Sequence, residues 1–173
     1  GVGVGQGEAV GVAGGVLRHG DEARHAAALG VGAAHQVARA LGRDEGHVDA
    51  RRYAQIGLRG YWPGEPEFAW QESVGITSFF MHDVRELGIA AVVERTTEIV
   101  GDGPVYLTVD IDSLDPAFAP GTGTPEPGGM NVHELLSACR RVADAVELVG
   151  ADVVEVLPAR SGATISRSSL SWG

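Results

Sequence analysis

Two aspartates, Asp110 and Asp112, follow an apolar run that has the character of a buried strand. If the strand continues through both residues, the two side chains point to the same side. Their Cα atoms then lie about 6.6 Å apart, at about 3.3 Å per residue. Carboxylates this close repel unless a cation neutralises them, and oxygen ligands favour Mn²⁺ or Mg²⁺. The pair therefore indicates a metal site, with a simple Asp-containing turn as the alternative.

The longer string around the two aspartates favours the metal site. Residues 110–129, DIDSLDPAFAPGTGTPEPGG, resemble the signature of the ureohydrolase family, which includes arginase and agmatinase. The resemblance extends from Tyr53 to Pro158, with QIGLRG at 55–60 and GADVVEV at 150–156. This part of the chain is similar to the second half of a bacterial agmatinase.

The resemblance implies a fold, a cofactor and a reaction. The fold is α/β, a three-layer α/β/α sandwich with a parallel sheet, incomplete in this chain, and the family assembles as trimers or hexamers. Two Mn²⁺ ions hold a hydroxide that attacks a guanidinium carbon and releases urea, because the metals lower the pKa of bound water. Asp110 and Asp112 match family metal ligands. Glu155 matches the carboxylate that receives the substrate guanidinium, a planar donor suited to it.

The resemblance favours one small cationic substrate over several others. Agmatine, hydrolysed to putrescine in polyamine biosynthesis, is the expected substrate. Arginine, guanidinobutyrate and amidino intermediates of secondary metabolism are the alternatives. The net charge of −10 suits all of these cations and does not choose among them.

The family's remaining metal ligands come from two motifs that this sequence lacks. One is Gly-Gly-Asp-His followed by a small residue, and the other is Asp-Ala-His-x-Asp, together with a later His-Gly of the active site. Residues 1–52 contain four histidines in no such context, namely His19, His25, His35 and His47. Only part of the expected ligand set is therefore present.

Composition divides the chain into three parts. Residues 1–52 use nine amino-acid types, with 12 Gly and 11 Ala, and are expected to be low-complexity and weakly folded. Within them, residues 22–41 favour a helix because Ala, Leu and Arg have high helix propensity. Residues 53–158 carry the family resemblance, and residues 159–173 are a divergent Ser-rich tail.

These abrupt borders motivate a second interpretation, that the chain is an inactive truncated or frameshifted remnant of such an enzyme. Both ends would then be translated out of frame, or the gene would be decayed. The hypothesis fails if neither shifted reading frame upstream of the Tyr53 region encodes text resembling Asp-Ala-His-x-Asp.

The elements that must position these residues alternate between strand and helix from Tyr53 onward, which predicts a parallel sheet covered by helices. Helices are predicted at 66–73, at 82–100 with a break near Gly88, and after Asn131, which forms a capping box with Glu134. A Pro- and Gly-rich loop covers 115–130 and forms one wall of a pocket. Strands are predicted at 53–58, 75–80, 104–110 and 148–157.

Other chemically capable side chains have simpler interpretations. Asp115 is expected to hold the loop before Pro116, and Thr122 and Thr124 to form hydrogen bonds within it. Trp62 is expected to shape substrate choice or an oligomer contact. The other three are interpreted as two surface residues and one core residue, namely His82, His133 and Cys139.

Bulk properties exclude several classes of partner. The chain carries 13 basic against 23 acidic residues, so we expect neither nucleic acid nor membrane as a partner. No apolar run reaches the roughly 18 residues of a membrane span, and no signal peptide is recognised. A single cysteine, Cys139, suits a reducing compartment, so we expect a cytoplasmic protein.

Overall fold

One five-stranded parallel sheet forms the centre of the protein. The computed structural model describes residues 26–31, 48–60 and 64–157. Every neighbouring pair of strands is parallel, in the order β3-β2-β1-β4-β5. The strands are β1 (Ala26–Val31), β2 (Val48–Leu58), β3 (Thr77–Phe80), β4 (Pro104–Asp110) and β5 (Glu147–Val154). The helices are α1 (Glu65–Val74), α2 (Met81–Leu87), α3 (Ile89–Val100) and α4 (Val132–Ala145).

Helices cover both faces of this sheet. Alternate residues of β4, Val105, Leu107 and Val109, face a core to which α2, α3 and α4 contribute. A smaller cluster on the opposite face joins Tyr53 of β2 to Trp70 of α1. A strand buries one set of alternating side chains on each face, so helices on both sides complete three layers. The predicted α/β/α sandwich with a parallel sheet is confirmed.

The predicted elements from Tyr53 onward are confirmed, with boundaries shifted by a few residues. The predicted break near Gly88 separates α2 from α3, and Gly88 itself adopts a φ of 83°. At the start of α4, Asn131 Oδ1 accepts a 2.9 Å hydrogen bond from the amide of Glu134. The Glu134 carboxylate in turn accepts a 2.8 Å bond from the Asn131 amide, which completes the predicted capping box.

The helix predicted over residues 22–41 is wrong where the structure describes it. Ala26–Val31 forms β1, the central strand, which pairs with β2 on one side and with β4 on the other. Hydrogen bonding to a neighbouring strand on both sides outweighs the high helix propensity of alanine, because intrinsic propensity is a weak signal that tertiary context overrides. Several parts of the sequence discussed above lie outside the described residues: the rest of that segment, His19, His25, His35, His47, Trp62 and the tail from Pro158. The division of the chain at Tyr53 stays a prediction.

One of the two edge strands of the described sheet, β5, leaves apolar side chains uncovered. Val153 is 60% exposed, and Leu148 and Val149 are also exposed.

Within residues 48–60 and 64–157, no helix has the length and apolarity needed to cross a lipid bilayer.

Candidate metal and substrate site

Asp110 and Asp112 lie at the carboxyl end of β4, but only the first belongs to the strand. Asp110 is its last residue, whereas Asp112 lies in a 3-10 turn over Ile111–Ser113. The strand geometry assumed for the pair is therefore wrong at Asp112. The turn forms because Asp110 Oδ1 accepts a 3.0 Å hydrogen bond from the Asp112 amide, as a capping aspartate does. The turn still keeps the two carboxylates together.

The sheet order places this pair at a topological switch point. The chain leaves β1 towards β2 and β3 on one side, whereas β4 and β5 lie on the other. Val31, the end of β1, pairs with Val109 next to Asp110. Ligands of open parallel sheets bind outside the carboxyl ends of strands at such a point. The fold therefore presents the two aspartates at the position where this architecture binds ligands.

Because the aspartate pair is buried, ionising both carboxylates at once is unfavourable. Asp110 is 3% exposed and Asp112 is 7% exposed. Burial, and next the charge of Asp112, raise the pKa of Asp110 to about 8, and Glu155 adds to the shift. Two buried carboxylates without a cation must keep a proton, because both cannot be ionised at low cost. A bound cation would remove this penalty.

Each carboxylate uses one oxygen for a bond to a neutral donor of the protein. Asp110 Oδ1 accepts from the Asp112 amide, and Asp112 Oδ2 accepts a 2.7 Å bond from the hydroxyl of Thr124. Among the described contacts, the second oxygen of each remains available for a shared proton or a cation. Thr124 was predicted to form hydrogen bonds within its loop, and its hydroxyl in fact binds the candidate metal ligand Asp112.

The loop between β4 and α4 is folded around Asp115, as predicted. Its carboxylate accepts hydrogen bonds from the amides of Ala117 at 3.0 Å and Gly128 at 2.8 Å. These bonds hold the pKa of Asp115 below its usual value. The loop then closes against the turn at Gly129, where a Cβ atom would lie 2.5 Å from the Asp115 nitrogen. Only glycine permits this approach.

Arg59 joins the end of β2 to the aspartate turn and was missed by sequence reasoning. Its guanidinium donates to the carbonyls of Asp112 at 2.6 Å, Leu114 at 3.2 Å and Glu126 at 2.6 Å. An arginine within QIGLRG, directly after a predicted strand, was the available signal. The carboxyl ends of parallel strands lie at the same end of a sheet, so the topology places Arg59 near the aspartates.

Glu155 lies directly after β5, at the same end of the sheet. It is exposed, and its φ of 58° is the one positive value among the described non-glycine residues. The next residue, Val156, forms a bridge with Thr122 of the loop. A Cβ atom placed on Gly123 would lie 3.6 Å from Glu155 Oε2, so this carboxylate borders the loop. The structure therefore brings all three predicted site residues to one edge.

The donor set fits Mn²⁺ in kind and is incomplete in number. Asp110 and Asp112 supply the oxygen ligands that Mn²⁺ accepts. Within the part of the chain that the structure describes, no group of three or more His, Cys, Asp or Glu side chains assembles a metal site. The described residues thus provide two of the oxygen ligands that a candidate metal site would use.

The remaining candidates form no described hydrogen bond with the side chains of Asp110, Asp112 or Glu155. The His82 ring stacks on Phe80 with centroids 5.4 Å apart, and His133 is exposed. Cys139 packs against the core, and burial raises the pKa of its thiol. Thr122 is 1% exposed and has no hydrogen-bond partner for its hydroxyl. The interpretations of the two histidines and of Cys139 agree with the structure.

Comparison with known proteins assigns the chain to one family. The sequence model of the arginase family matches residues 17–169. The guanidinopropionase of Pseudomonas aeruginosa is 46% identical over 117 residues, which are 66% of this chain and 36% of that protein. The agmatinase of Cronobacter sakazakii is 45% identical over 116 residues, 67% of this chain and 35% of its own length. The chain thus spans about a third of these curated relatives.

A solved structure shows the same fold. The proclavaminate amidino hydrolase from Streptomyces clavuligerus superimposes with a TM-score of 0.70 at 33% sequence identity. The match covers 79% of this chain and 49% of that one. The parallel sheet and its helices are therefore the arrangement found in about half of a complete member of this fold.

Proposed function

Because the chain belongs to the arginase family, we propose that its Asp110–Asp112 edge serves a hydrolase that cleaves a guanidino group and releases urea. The observation that carries this proposal is the buried aspartate pair itself, at the switch point of the sheet. Its raised Asp110 pKa indicates a site built for a cation. We propose Mn²⁺ as that cation, since hard oxygen ligands suit it.

Three residues of the chain have separate roles in this proposal. Asp110 and Asp112 each offer an oxygen to the metal, whose contribution is a water of lowered pKa. Glu155 accepts two hydrogen bonds from the planar guanidinium of the substrate, a geometry that carboxylates match well. Its exposed position beside the loop, on the rim of this edge, leaves it accessible to an incoming cation.

We propose agmatine, converted to putrescine, as the substrate. The agmatinase relative supports this choice, and the acidic net charge of −10 suits any cationic guanidino substrate, since an acidic surface attracts cations. A guanidinopropionase and a proclavaminate amidino hydrolase match equally well, so the alternatives raised by the sequence remain rival substrates: arginine, guanidinobutyrate and amidino intermediates of secondary metabolism. A panel of these compounds in one assay separates them.

The deciding experiment is urea release from agmatine by the purified chain with added Mn²⁺. The proposal expects urea from the wild type and a loss of at least about 100-fold in Asp112→Ala, because a metal ligand is removed. Asp144→Ala serves as the matched control, because Asp144 is an exposed aspartate on α4 away from the site. Its activity should equal that of the wild type.

One observation favours a second candidate, an inactive remnant of such an enzyme. The described residues assemble two carboxylates and no third ligand of the His, Cys, Asp or Glu type. This candidate expects no urea with any substrate of the panel, and at most one weakly held Mn²⁺ per chain. Urea release that Asp112→Ala abolishes would exclude it, and absence of urea would exclude the enzymatic proposal for this chain.

A further inference from the structure

We propose that Arg59 is the positioning residue that fixes the aspartate turn and its loop as one unit. This inference rests on the proposed metal role of Asp110 and Asp112, and it concerns how their geometry is maintained. Arg59 directly follows β2, whereas the turn follows β4, and β1 separates these two strands in the sheet. No backbone ladder connects β2 to β4, so a side chain must span the gap.

The contacts of Arg59 are directed at backbone carbonyls of the turn and the loop. Nη2 donates to the Asp112 carbonyl and the Glu126 carbonyl, each at 2.6 Å, and Nε also donates to Glu126 at 3.1 Å. A 3.2 Å bond to Leu114 completes the set on the turn. Charge-assisted bonds are roughly twice as strong as neutral ones. One side chain thereby fixes both ends of the segment that carries Asp112 and Thr124.

Arg59 binds backbone carbonyls rather than carboxylates, and this affects whether a cation can bind the Asp112 carboxylate. In the described part of the chain, Arg59 forms no ion pair within 4 Å, although Asp112, Asp115 and Glu126 all contribute to its electrostatics. A guanidinium paired with Asp112 would neutralise that carboxylate and compete with a metal. By holding the Asp112 carbonyl instead, Arg59 orients the residue and leaves its carboxylate available.

A matched control exists on β2, the strand that Arg59 directly follows. Arg52 of β2 also donates to backbone carbonyls, of Val100 at 2.7 Å and Asp102 at 2.5 Å. These carbonyls precede β4, at the end of the sheet opposite the aspartates. Arg52→Lys and Arg59→Lys therefore remove the same kind of interaction at opposite ends of β4. If Arg59 only stabilised the fold, Arg52→Lys and Arg59→Lys should change amide exchange and Mn²⁺ binding to a similar extent.

The first measurement is amide hydrogen exchange over residues 111–130, in the metal-free wild type and both variants. The amides of Asp115 and Met130 report on this segment, since they bond the carbonyls of Met130 and Ser113 at 2.9 Å. Arg59→Lys should accelerate their exchange about tenfold or more, and Arg52→Lys should not. Equal exchange in the two variants overturns the inference.

The second measurement is Mn²⁺ binding followed by electron paramagnetic resonance. Arg59→Lys should weaken binding about 10- to 100-fold, as loss of a group that orients a metal ligand does, with Arg52→Lys near the wild type. Equal affinity in both variants overturns the inference. If the wild type binds no Mn²⁺ that Asp112→Ala removes, the proposed function fails, and the exchange comparison still decides the role of Arg59. Global unfolding of both Arg59→Lys and Arg59→Gln would mean a structural role and also overturn it.

Discussion

The hydroxyl of Thr124 donates a 2.7 Å hydrogen bond to Oδ2 of Asp112. The two residues are twelve positions apart, so this bond draws the Pro- and Gly-rich loop back over the turn after β4. It occupies one carboxylate oxygen and directs the other. The loop therefore borders the candidate site and also fixes the geometry of a candidate metal ligand.

Replacing Thr124 should weaken metal binding without unfolding the protein. Thr124→Val keeps the shape and removes the donor, so we expect Mn²⁺ affinity to fall about tenfold. Thr124→Ser keeps the hydroxyl and should retain most of the affinity. Thr97→Val, which removes an exposed hydrogen bond from a hydroxyl to the Glu94 carbonyl on α3, is the control. Identical Mn²⁺ titrations of Thr124→Val and the wild type would contradict this prediction.

The metal-free protein should lose stability as the pH rises. The pKa of Asp110 is about 8 in the folded chain against an ordinary 3.8, so between these values the folded state binds more protons than the unfolded state. The stabilising contribution of the protonated carboxyl is complete below about pH 4 and is lost as the pH rises through about 8. The free energy of unfolding should therefore fall from pH 5 to 8.5, by up to about 1.4 kcal/mol per pH unit.

Denaturation curves across this pH range test the assignment when Asp110→Asn is measured beside the wild type. The variant cannot ionise, so its stability should change less with pH. Asp144→Asn on the exposed face of α4 should keep the wild-type slope. An unchanged slope in Asp110→Asn would show that another group is responsible.

A methyl group at Gly129 should be poorly tolerated. The Cβ atom of Gly129→Ala would lie 2.5 Å from backbone atoms of Leu114 and Asp115, which cannot rotate away. We expect a loss of about 1–3 kcal/mol of unfolding free energy, measured by denaturation. Gly64→Ala is the control, since its new methyl group meets the flexible carboxylate of Glu67 at 3.1 Å. Comparable losses in the two variants would argue against a rigid contact at Gly129.

Glu155 should show opposite effects on stability and on catalysis. Its φ of 58° strains any residue with a side chain, at a cost on the order of 1 kcal/mol. Glu155→Gly should therefore leave the unfolding free energy unchanged or raise it, while urea release disappears. Glu155→Gln keeps the strain and should also lose activity. Full activity of Glu155→Gln would remove Glu155 from the proposed site.

Much of the fold was predictable because its signals are local. Two of these signals depend on residues only a few positions apart: the capping box at Asn131 and Glu134, and the break between two helices at Gly88. The strand ending at Asp110 was equally clear, since an apolar run gives way there to charge. β1 was not predictable, because its Ala- and Gly-rich sequence carries no strand pattern. Its position depends on hydrogen bonds to β2 and β4 from distant parts of the chain.

The candidate site shows the same division between local and distant information. Asp110, Asp112 and Glu155 were identified by their motifs, and the structure places all three at one edge of the sheet. Arg59 and Thr124 were missed as partners of Asp112, because their bonds span 53 and 12 positions of sequence. Only the sheet order brings the end of β2 within reach of the turn after β4.

The central position of β1 also has a kinetic consequence. Ala27 must pair with Val105, and Leu29 with both Ala54 and Leu107, so β1, the earliest of the described strands, is paired on both sides only after β4 has been synthesised. Parallel pairings between distant segments fold slowly, because loop-closure entropy is lost before the contacts form. Until then β1 has one unpaired edge. During synthesis, β1 would therefore leave the ribosome before β4, the second strand that pairs with it. Chaperones would be most useful in the interval before β4 is synthesised.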